Sequence, residues 1–268
     1  MKKIAIFTVI IVLSFLSCDS FYGNSLGSSR EYDWRQINLT TSNIEEWVRA
    51  TVGNPPLARA VTDALMEKLN ENMSEADRAR FLEFAAKLAI EASSLGSSIL
   101  VNATELLGGI GSGDDDSFKD LLNNLQDDFN AGGGQKAAEN LANLLLKGIN
   151  DQGGTPRFND AYASTASASG VAEAMIVLLL GEMAGSDGQL TINDLGNLAT
   201  MGLRLVPGEN GNEVEVIPDR NPPQSPNAVA VAAYLNLIAD DKTGKYKSNP
   251  FTSAISTILM TGAKEEED

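Results

Sequence analysis

Apolar side chains recur every three or four residues along most of the chain after residue 40, which is the period of an α-helix with one buried face. The clearest case starts at Asn54-Pro55-Pro56, where the prolines fit a first helical turn because that turn needs no N–H from them. Its apolar face is formed by Leu57, Val61, Leu65 and Leu69. The same period, broken by glycine-rich turns, predicts further helices over 44–53, 75–94, 97–107, 117–129, 135–149, 169–184, 192–204, 227–239 and 250–261.

Two short polar motifs predict where individual helices begin. Ser42-Asn43-Ile44-Glu45 fits a capping box, in which the serine hydroxyl and the glutamate carboxylate each pair with a free backbone N–H of the first turn. Ser74-Glu75-Ala76-Asp77 has the same form with aspartate in place of glutamate. The sequence therefore predicts that helices begin directly after Ser42 and Ser74.

One segment has the alternating pattern of a strand pair. Arg204–Val206 and Glu213–Ile217 flank the glycine- and asparagine-rich residues 208–212, which predicts a small β-hairpin over 204–217. A proline-rich loop is expected over 218–226, and a run of small polar residues predicts a long loop over 152–168. We therefore expect an all-α fold, an irregular bundle of about 9–10 helices in a single domain over 33–268, with one small hairpin.

Two apolar runs are too short to cross a membrane. Ala174–Leu180 is closely flanked by Glu173 and Glu182, and Ala228–Ala239 contains Asn236. A membrane-spanning helix needs about 20 apolar residues, so both runs are predicted to be buried helices of the domain core.

Composition excludes several classes of chemistry. The chain has 36 acidic and 20 basic side chains, a formal net charge of −16, so as a whole it repels nucleic-acid phosphates and anionic lipid headgroups. It contains no histidine, which excludes the Ser-His-Asp triad, the Cys-His dyad and histidine-ligated zinc. Its one cysteine, Cys18, has no partner for an internal disulfide.

The N-terminus joins positive charge, an apolar run and that cysteine. Met1-Lys2-Lys3 precedes Ile4–Leu13, and Ser14-Phe15-Leu16-Ser17 leads to Cys18. A positive start, an apolar stretch of about ten residues and a small residue before the break are the pattern of a secretory signal. The segment resembles a bacterial lipoprotein signal peptide with a relaxed, spirochaete-like box. The serine before the cysteine fits that box, whereas the phenylalanine and leucine before it depart from the usual pattern.

The resemblance implies an anchor and a domain boundary. Residues 1–17 would be removed as the signal peptide, and Cys18 would become the first residue and carry acyl chains such as palmitate. Residues 18–32 would then form a tether rich in glycine, serine and asparagine. Each buried CH₂ contributes about 0.8 kcal/mol, so two or more chains hold a protein stably on a bilayer. We therefore expect a lipoprotein of the bacterial cell envelope that faces the periplasm or the exterior.

The segment Met183–Asp194 is the sharpest candidate for a metal site. In a calcium-loop alignment Gly188 takes the turn position, and Asp187 and Asp194 supply oxygen ligands. The first two ligand positions, however, hold methionine and glycine. The same residues fit a glycine turn and a helix capped by Thr191, with Asp194 three residues later. We favour the helix cap and expect no metal and no cofactor, and we keep Asp187 and Asp194 as the candidate ligands.

Three other polar groups have a functional and a structural interpretation. Asp114-Asp115-Asp116 stands at a predicted helix start, where the helix dipole favours acidic residues. A hard cation is the alternative reason for such a run, but adjacent carboxylates rarely converge on one ion without a loop that wraps it. Lys242-Thr243-Gly244 matches one box of the serine β-lactamases, but the chain has no Ser-x-x-Lys nucleophile box, so these residues predict a surface turn. Glu173 and Glu182 border the most apolar helix, where burial is a way to raise the pKa of a catalytic acid.

These observations favour binding over catalysis. No complete catalytic or nucleotide-binding motif is present, so we expect a non-catalytic binding or scaffold module, held on a membrane through Cys18, with a protein partner or a small ligand. Nucleic acid is not an expected partner. Two alternatives stay open: a cell-wall glycan hydrolase that uses carboxylates such as Glu173 and Glu182, and an accessory subunit of a solute-binding or transport system.

Overall fold

Helices dominate the structure, a computed structural model that describes residues 32–93, 126–131, 133–152, 155–185, 188–190, 203–207, 214–218, 225–249 and 252–253. Within these ranges the chain forms eight α-helices, a further helical stretch at 126–131 and two antiparallel β-hairpins. The helices are α1 (Ile44–Thr51), α2 (Pro55–Asn70), α3 (Glu75–Leu82), α4 (Ala85–Ala92), α5 (Gly134–Leu146), α6 (Asp160–Thr165), α7 (Ala168–Met183) and α8 (Pro226–Ala239). The strands are β1 (Ile149–Gln152), β2 (Thr155–Phe158), β3 (Leu203–Pro207) and β4 (Val214–Pro218). The expected all-α class is confirmed.

The two most apolar helices form the centre of the domain. α7 packs against α4, α5 and α8, and α8 packs against α5, α7, β2 and β4. A helix that is apolar around its whole circumference has to be covered on every side, and both sequences have this character. The prediction that these runs are buried core helices is confirmed. Of the helices described, none combines the length and the apolar character that crossing a membrane requires.

Helices α1, α2 and α4 form a layer on one side of this centre. α2 packs on α4, and α1 lies beside both of them. At one end of this layer Arg59, near the start of α2, donates from Nη1 to the carbonyl oxygen of Ala92, the last residue of α4, at 3.0 Å. The start of α2 therefore lies beside the end of α4. α3 turns away from this layer and packs against α6.

The cap residues agree with the sequence at two helix starts and differ at a third. Asn54 caps α2 by accepting from the N–H of Leu57, and Ser74 caps α3 by accepting from the N–H of Asp77 at 3.1 Å. The predicted capping box at 42–45 is wrong. Asn43 precedes α1, and its side chain accepts from the backbone N–H of Thr40 instead of from the helix, so Ser42 makes no cap.

This difference predicts unequal effects for two serine substitutions. Ser74→Ala is expected to lower the free energy of unfolding by about 1 kcal/mol, because it leaves a first-turn N–H of α3 without its side-chain acceptor. Ser42→Ala, the matched control, removes only an exposed contact with the Thr40 hydroxyl and is expected to be close to neutral. Urea unfolding measures both, and equal losses would contradict the assignment of the caps.

The predicted helix over 75–94 is interrupted. At Glu83 and Phe84 the chain tightens into a turn, and the N–H of Phe84 donates to the Phe81 carbonyl oxygen at 3.2 Å. Arg80 bridges the turn, because its guanidinium binds the Glu83 carboxylate at 2.6 Å and lies 4.8 Å from the centre of the Phe84 ring. Two helices therefore replace one, and α3 and α4 are free to take different partners.

The hairpin predicted over 204–217 is confirmed. β3 pairs with β4 antiparallel, with Leu203 opposite Pro218 and Pro207 opposite Val214. The end of the predicted helix 192–204 is wrong, since Leu203 and Arg204 already belong to β3. The rest of that helix lies outside the described residues.

The long loop predicted over 152–168 is also wrong. β1 and β2 form a second hairpin with Ile149 opposite Phe158, and α6 follows directly. Asn159 caps α6 by accepting from the N–H of Tyr162 at 2.9 Å. This segment, which the sequence predicts as an exposed connection, therefore contributes folded elements to one side of α8.

Candidate functional site

Several residues singled out from the sequence lie outside the described residues: Cys18, the acidic run 114–116, Asp187 and Asp194. The neighbouring Leu190 is described and buried. Its N–H donates to Asn130 Oδ1 at 2.8 Å, and Asn130 Nδ2 donates back to the Leu190 carbonyl oxygen at 3.0 Å. This pair fixes the end of the 183–190 segment on the helical residues 126–131. Among the residues described there is no cluster of three or more metal-ligating side chains.

Glu173 and Glu182 both lie on α7 but do not face each other. At 3.6 residues per turn, nine residues make about two and a half turns and a rise of about 13 Å, so the two side chains leave opposite sides of the helix. Two carboxyl groups that cleave a glycosidic bond lie about 5–10 Å apart. These two glutamates therefore do not form such a pair with each other.

Their surroundings also differ. Burial raises the pKa of the Glu173 carboxyl above its ordinary value of 4.5, and Lys87 on α4 opposes that shift only in part. Glu182 instead accepts a hydrogen bond from the hydroxyl of Ser225, which also caps α8 by accepting from the N–H of Ala228 at 3.0 Å. Glu182 thus connects the end of α7 to the start of α8, which is a structural role.

The raised pKa of Glu173 predicts a pH-dependent effect of Glu173→Gln. The folded state holds the proton more tightly than the unfolded chain, so the wild type loses stability as the pH rises from the unfolded pKa through the folded one. Glutamine does not titrate, so the variant lacks this pH-dependent contribution to the free energy of unfolding. We expect its stability relative to the wild type to be higher at pH 7 than at pH 4, measured by urea unfolding. A stability difference between the two proteins that does not change with pH would contradict the raised pKa of Glu173.

A cleft of about 560 Å³ lies beside the end of α8. β2 and α6 form one wall, and the end of α8 with the turn after it forms the other. Its lining residues are Arg157, Phe158, Asp160, Ala163, Ser164, Leu237, Asp240, Asp241, Lys242, Thr243, Lys245 and Tyr246. A second cavity of about 390 Å³, between α2 and α5, has one charged lining residue, Lys147. The cleft is therefore the better candidate for a binding site.

Buried aromatic residues support the cleft from below. The hydroxyl of Tyr246 donates to the carbonyl oxygen of Ala163 at 2.9 Å, which ties the turn after α8 to α6. Deeper in the core the hydroxyls of Tyr162 and Tyr234 lie 2.8 Å apart, and both rings pack on Phe158. Burial raises the pKa of both Tyr162 and Tyr234, so the pair is neutral at physiological pH.

The turn after α8 is held by one carboxylate. Asp241 accepts from the N–H and the hydroxyl of Thr243 and from the N–H of Tyr246, the last at 2.7 Å. Partial burial acts in the opposite direction, but these hydrogen bonds, with one from the Gly244 N–H, together hold the pKa of Asp241 below its usual range. The surface turn predicted for Lys242-Thr243-Gly244 is confirmed, and Gly244 fits it with a φ of +76°.

Charged groups of both signs surround the opening of the cleft. Arg157 on β2 forms an ion pair with Asp240 at the end of α8, which joins the two walls. Lys245 Nζ lies 5.1 Å from the centre of the Tyr246 ring and 3.5 Å from the carbonyl oxygen of Ser164. The lining holds three acidic and three basic side chains. In a chain with a net charge of −16, the cleft is a locally neutral region.

This arrangement is suited to binding. A carboxylic acid that donates a proton near neutral pH needs a raised pKa, whereas the pKa of Asp241 is lowered and Asp240 is paired with Arg157. Burial and the Asp241 charge raise the pKa of Tyr246 to about 12, and its hydroxyl is occupied by backbone carbonyls. Arg157, Asp240, Asp241 and Tyr246 are therefore held in place by bonds within the protein.

Sequence analysis placed only the 242–244 turn among the candidate residues and missed Arg157, Asp240 and Tyr246. Arg157 lies 83 positions before its partner Asp240, and Tyr246 bonds to a carbonyl 83 positions before it. No local pattern marks such pairs. Comparison with protein families, with curated proteins and with solved structures finds no match to this chain.

Proposed function

We propose that this protein is a lipid-anchored, extracytoplasmic binding module, and that its ligand or partner occupies the cleft between β2, α6 and the end of α8. The observation that carries the proposal is the charge of this cleft, which has three acidic and three basic lining side chains and is therefore locally neutral. The ion pair between Arg157 and Asp240 joins its two walls. A volume of about 560 Å³ is within the usual range of ligand sites. Two of the three acidic groups there, Asp240 and Asp241, are engaged in an ion pair or in hydrogen bonds, which supports binding without catalysis.

The anchor is supported by the N-terminal pattern that ends at Cys18. The test is Cys18→Ser in a bacterial host with lipoprotein processing. The wild type is expected in the membrane fraction, with residues 1–17 removed and the mass of acyl chains added to Cys18. The serine variant is expected in the soluble fraction of the envelope without that mass. A serine variant that stays membrane-bound, with its mass changed only by the substitution, would refute lipidation.

The cleft is tested by two charge reversals of equal size on the same turn. Lys245 lines the cleft, and Lys247, also exposed, does not. In cross-linking within intact envelopes, Lys245→Glu is expected to reduce the yield of the cross-linked partner, whereas Lys247→Glu is expected to preserve it. Equal yields for both variants would place the binding surface elsewhere. Cross-linking to a solute-binding protein or a transporter would define the module as an accessory subunit of that system.

A carboxylate-dependent hydrolase is the second candidate, and the raised pKa of Glu173 is the observation that favours it. Incubation with purified cell-wall glycan tests it directly. A hydrolase would release soluble fragments, and Glu173→Gln would abolish the release while the fold is preserved. Intact glycan after incubation with the wild type would eliminate this function.

A further inference from the structure

The end of the domain nearest the proposed anchor has an exposed apolar residue. The described chain begins at Tyr32, whose hydroxyl accepts from Asn54 Nδ2 at 3.1 Å. Asn54 ends the short connection between α1 and α2, and Val52 in that connection is 68% exposed. Val52 is the one large hydrophobic side chain exposed to this degree among the described residues. The first described residue is therefore bonded to the same connection that carries Val52.

Two hydrogen bonds define which end of the helices this is. The N–H of Gly53 donates to Glu91 Oε2 at 3.0 Å, and Arg59 donates to the carbonyl oxygen of Ala92. The end of α1, the start of α2 and the end of α4 therefore lie together. We call this surface the Val52 end and define it by Tyr32, Val52–Asn54 and Arg59.

The charge of the chain is distributed unevenly relative to this end. Residues 32–93 carry seven basic and ten acidic side chains, whereas residues 94–268 carry ten basic and 24 acidic ones. Five of the seven basic residues within 32–93 are arginines. Arg49, which forms an ion pair with Glu45, and Arg59 flank the connection that holds Val52. The repulsion expected from the net charge of the whole chain therefore acts mainly on the part after residue 93.

The length of the intervening chain keeps this end close to the proposed anchor. The roughly 14 residues from Cys18 to Tyr32 span at most about 50 Å even when fully extended. A glycine- and serine-rich chain of that length has a root-mean-square span of about 20 Å. A tethered surface is present at a high local concentration, so a weak contact becomes populated without strong intrinsic affinity.

We propose that the Val52 end rests on the surface of the bilayer, with Val52 and Tyr32 at the level of the lipid headgroups. Tyrosine is favoured there because its ring is apolar and its hydroxyl is polar. The inference rests on the lipid anchor of the proposed function. It orients the domain, since the cleft draws on β2, α6 and the end of α8 and shares no residue with this surface. A bilayer contact at the Val52 end therefore uses none of the residues that line the cleft.

The lone cysteine permits a site-specific test. In the mature lipoprotein Cys18 is acylated, so a cysteine introduced at position 52 is the single free thiol. Val52→Cys is labelled with an environment-sensitive fluorophore (a nitrobenzoxadiazole), and the purified lipoprotein is reconstituted in vesicles of equal parts phosphatidylethanolamine and phosphatidylglycerol. Lys247→Cys, on the exposed turn after α8, is labelled identically as the control. Vesicle flotation confirms attachment in each preparation.

We expect the label at position 52 to shift to shorter wavelength and to lose at least half of its emission when the vesicles contain headgroup-level doxyl quenchers. The label at position 247 is expected to keep its emission. Equal quenching at the two positions, or none at 52 in protein that floats with the vesicles, would overturn the proposed orientation while leaving the anchor standing. Protein that fails to float would overturn the anchor, and the orientation with it.

Discussion

Replacing Tyr234 by alanine is expected to destabilise the domain by about 3–5 kcal/mol, the usual cost of truncating a fully buried aromatic side chain. Tyr234 is completely buried on α8, and its ring centre lies 4.7 Å from that of Phe158 on β2. Its removal opens a cavity below the cleft and withdraws the apolar support of the second hairpin. Urea unfolding followed by far-UV circular dichroism measures the loss.

The tyrosine hydroxyls make a more selective test of the same contact. Tyr234→Phe keeps the ring but leaves the buried Tyr162 hydroxyl without the partner at 2.8 Å, which is expected to cost about 1–3 kcal/mol. The double variant Tyr162→Phe/Tyr234→Phe removes both polar groups and is expected to lose less than the sum of the two single variants. Additive losses would show that the two hydroxyls do not depend on each other.

The second large effect is expected at Gly181, where α7 crosses α5. A methyl group added to this glycine would stand 2.3 Å from the Cβ of Ala138, which is closer than any real contact between such carbons. Alanine is intrinsically better than glycine inside a helix by about 1 kcal/mol, so helix propensity alone predicts a gain. Overpacking of a dense core costs about 1–3 kcal/mol, and we expect Gly181→Ala to be destabilising.

A compensating change at Ala138 separates the two effects. Ala138→Gly removes the methyl group that the new side chain meets, so the double variant Ala138→Gly/Gly181→Ala should be closer to the wild type than Gly181→Ala alone. Chemical unfolding of the four proteins gives the coupling free energy directly. A stabilised Gly181→Ala variant would mean that the two helices do not approach as closely as the structure places them.

The core helices could be predicted because their signal is local. α2, α7 and α8 each begin within one residue of the predicted start, since a proline or a serine and a continuous apolar period mark the start within a few positions. The hairpin over 203–218 was predicted for the same reason, as its alternating residues and its glycine-rich turn are adjacent in the chain.

The second hairpin could not be predicted in this way. Its strands are four residues long and mostly polar, although the two glycines between them are typical of a tight hairpin turn. What stabilises β2 is a distant helix, because Asn236 on α8 donates from Nδ2 to the Pro156 carbonyl oxygen at 3.0 Å. A buried amide that binds a carbonyl 80 positions away produces no periodic pattern in the sequence from which the strand could be predicted.

The linear order of side chains was enough to establish the helical class, the two buried helices and an N-terminal pattern that predicts a lipid anchor at Cys18. These properties depend on residues a few positions apart, which share one helix face or one signal segment. Packing determined the rest: Glu173 is half-buried while Glu182 ties two helices together, and Arg157 meets Asp240 across a cleft. Such contacts form only when distant segments close on a common core, because burial and ion pairing depend on neighbours that the chain brings together in space.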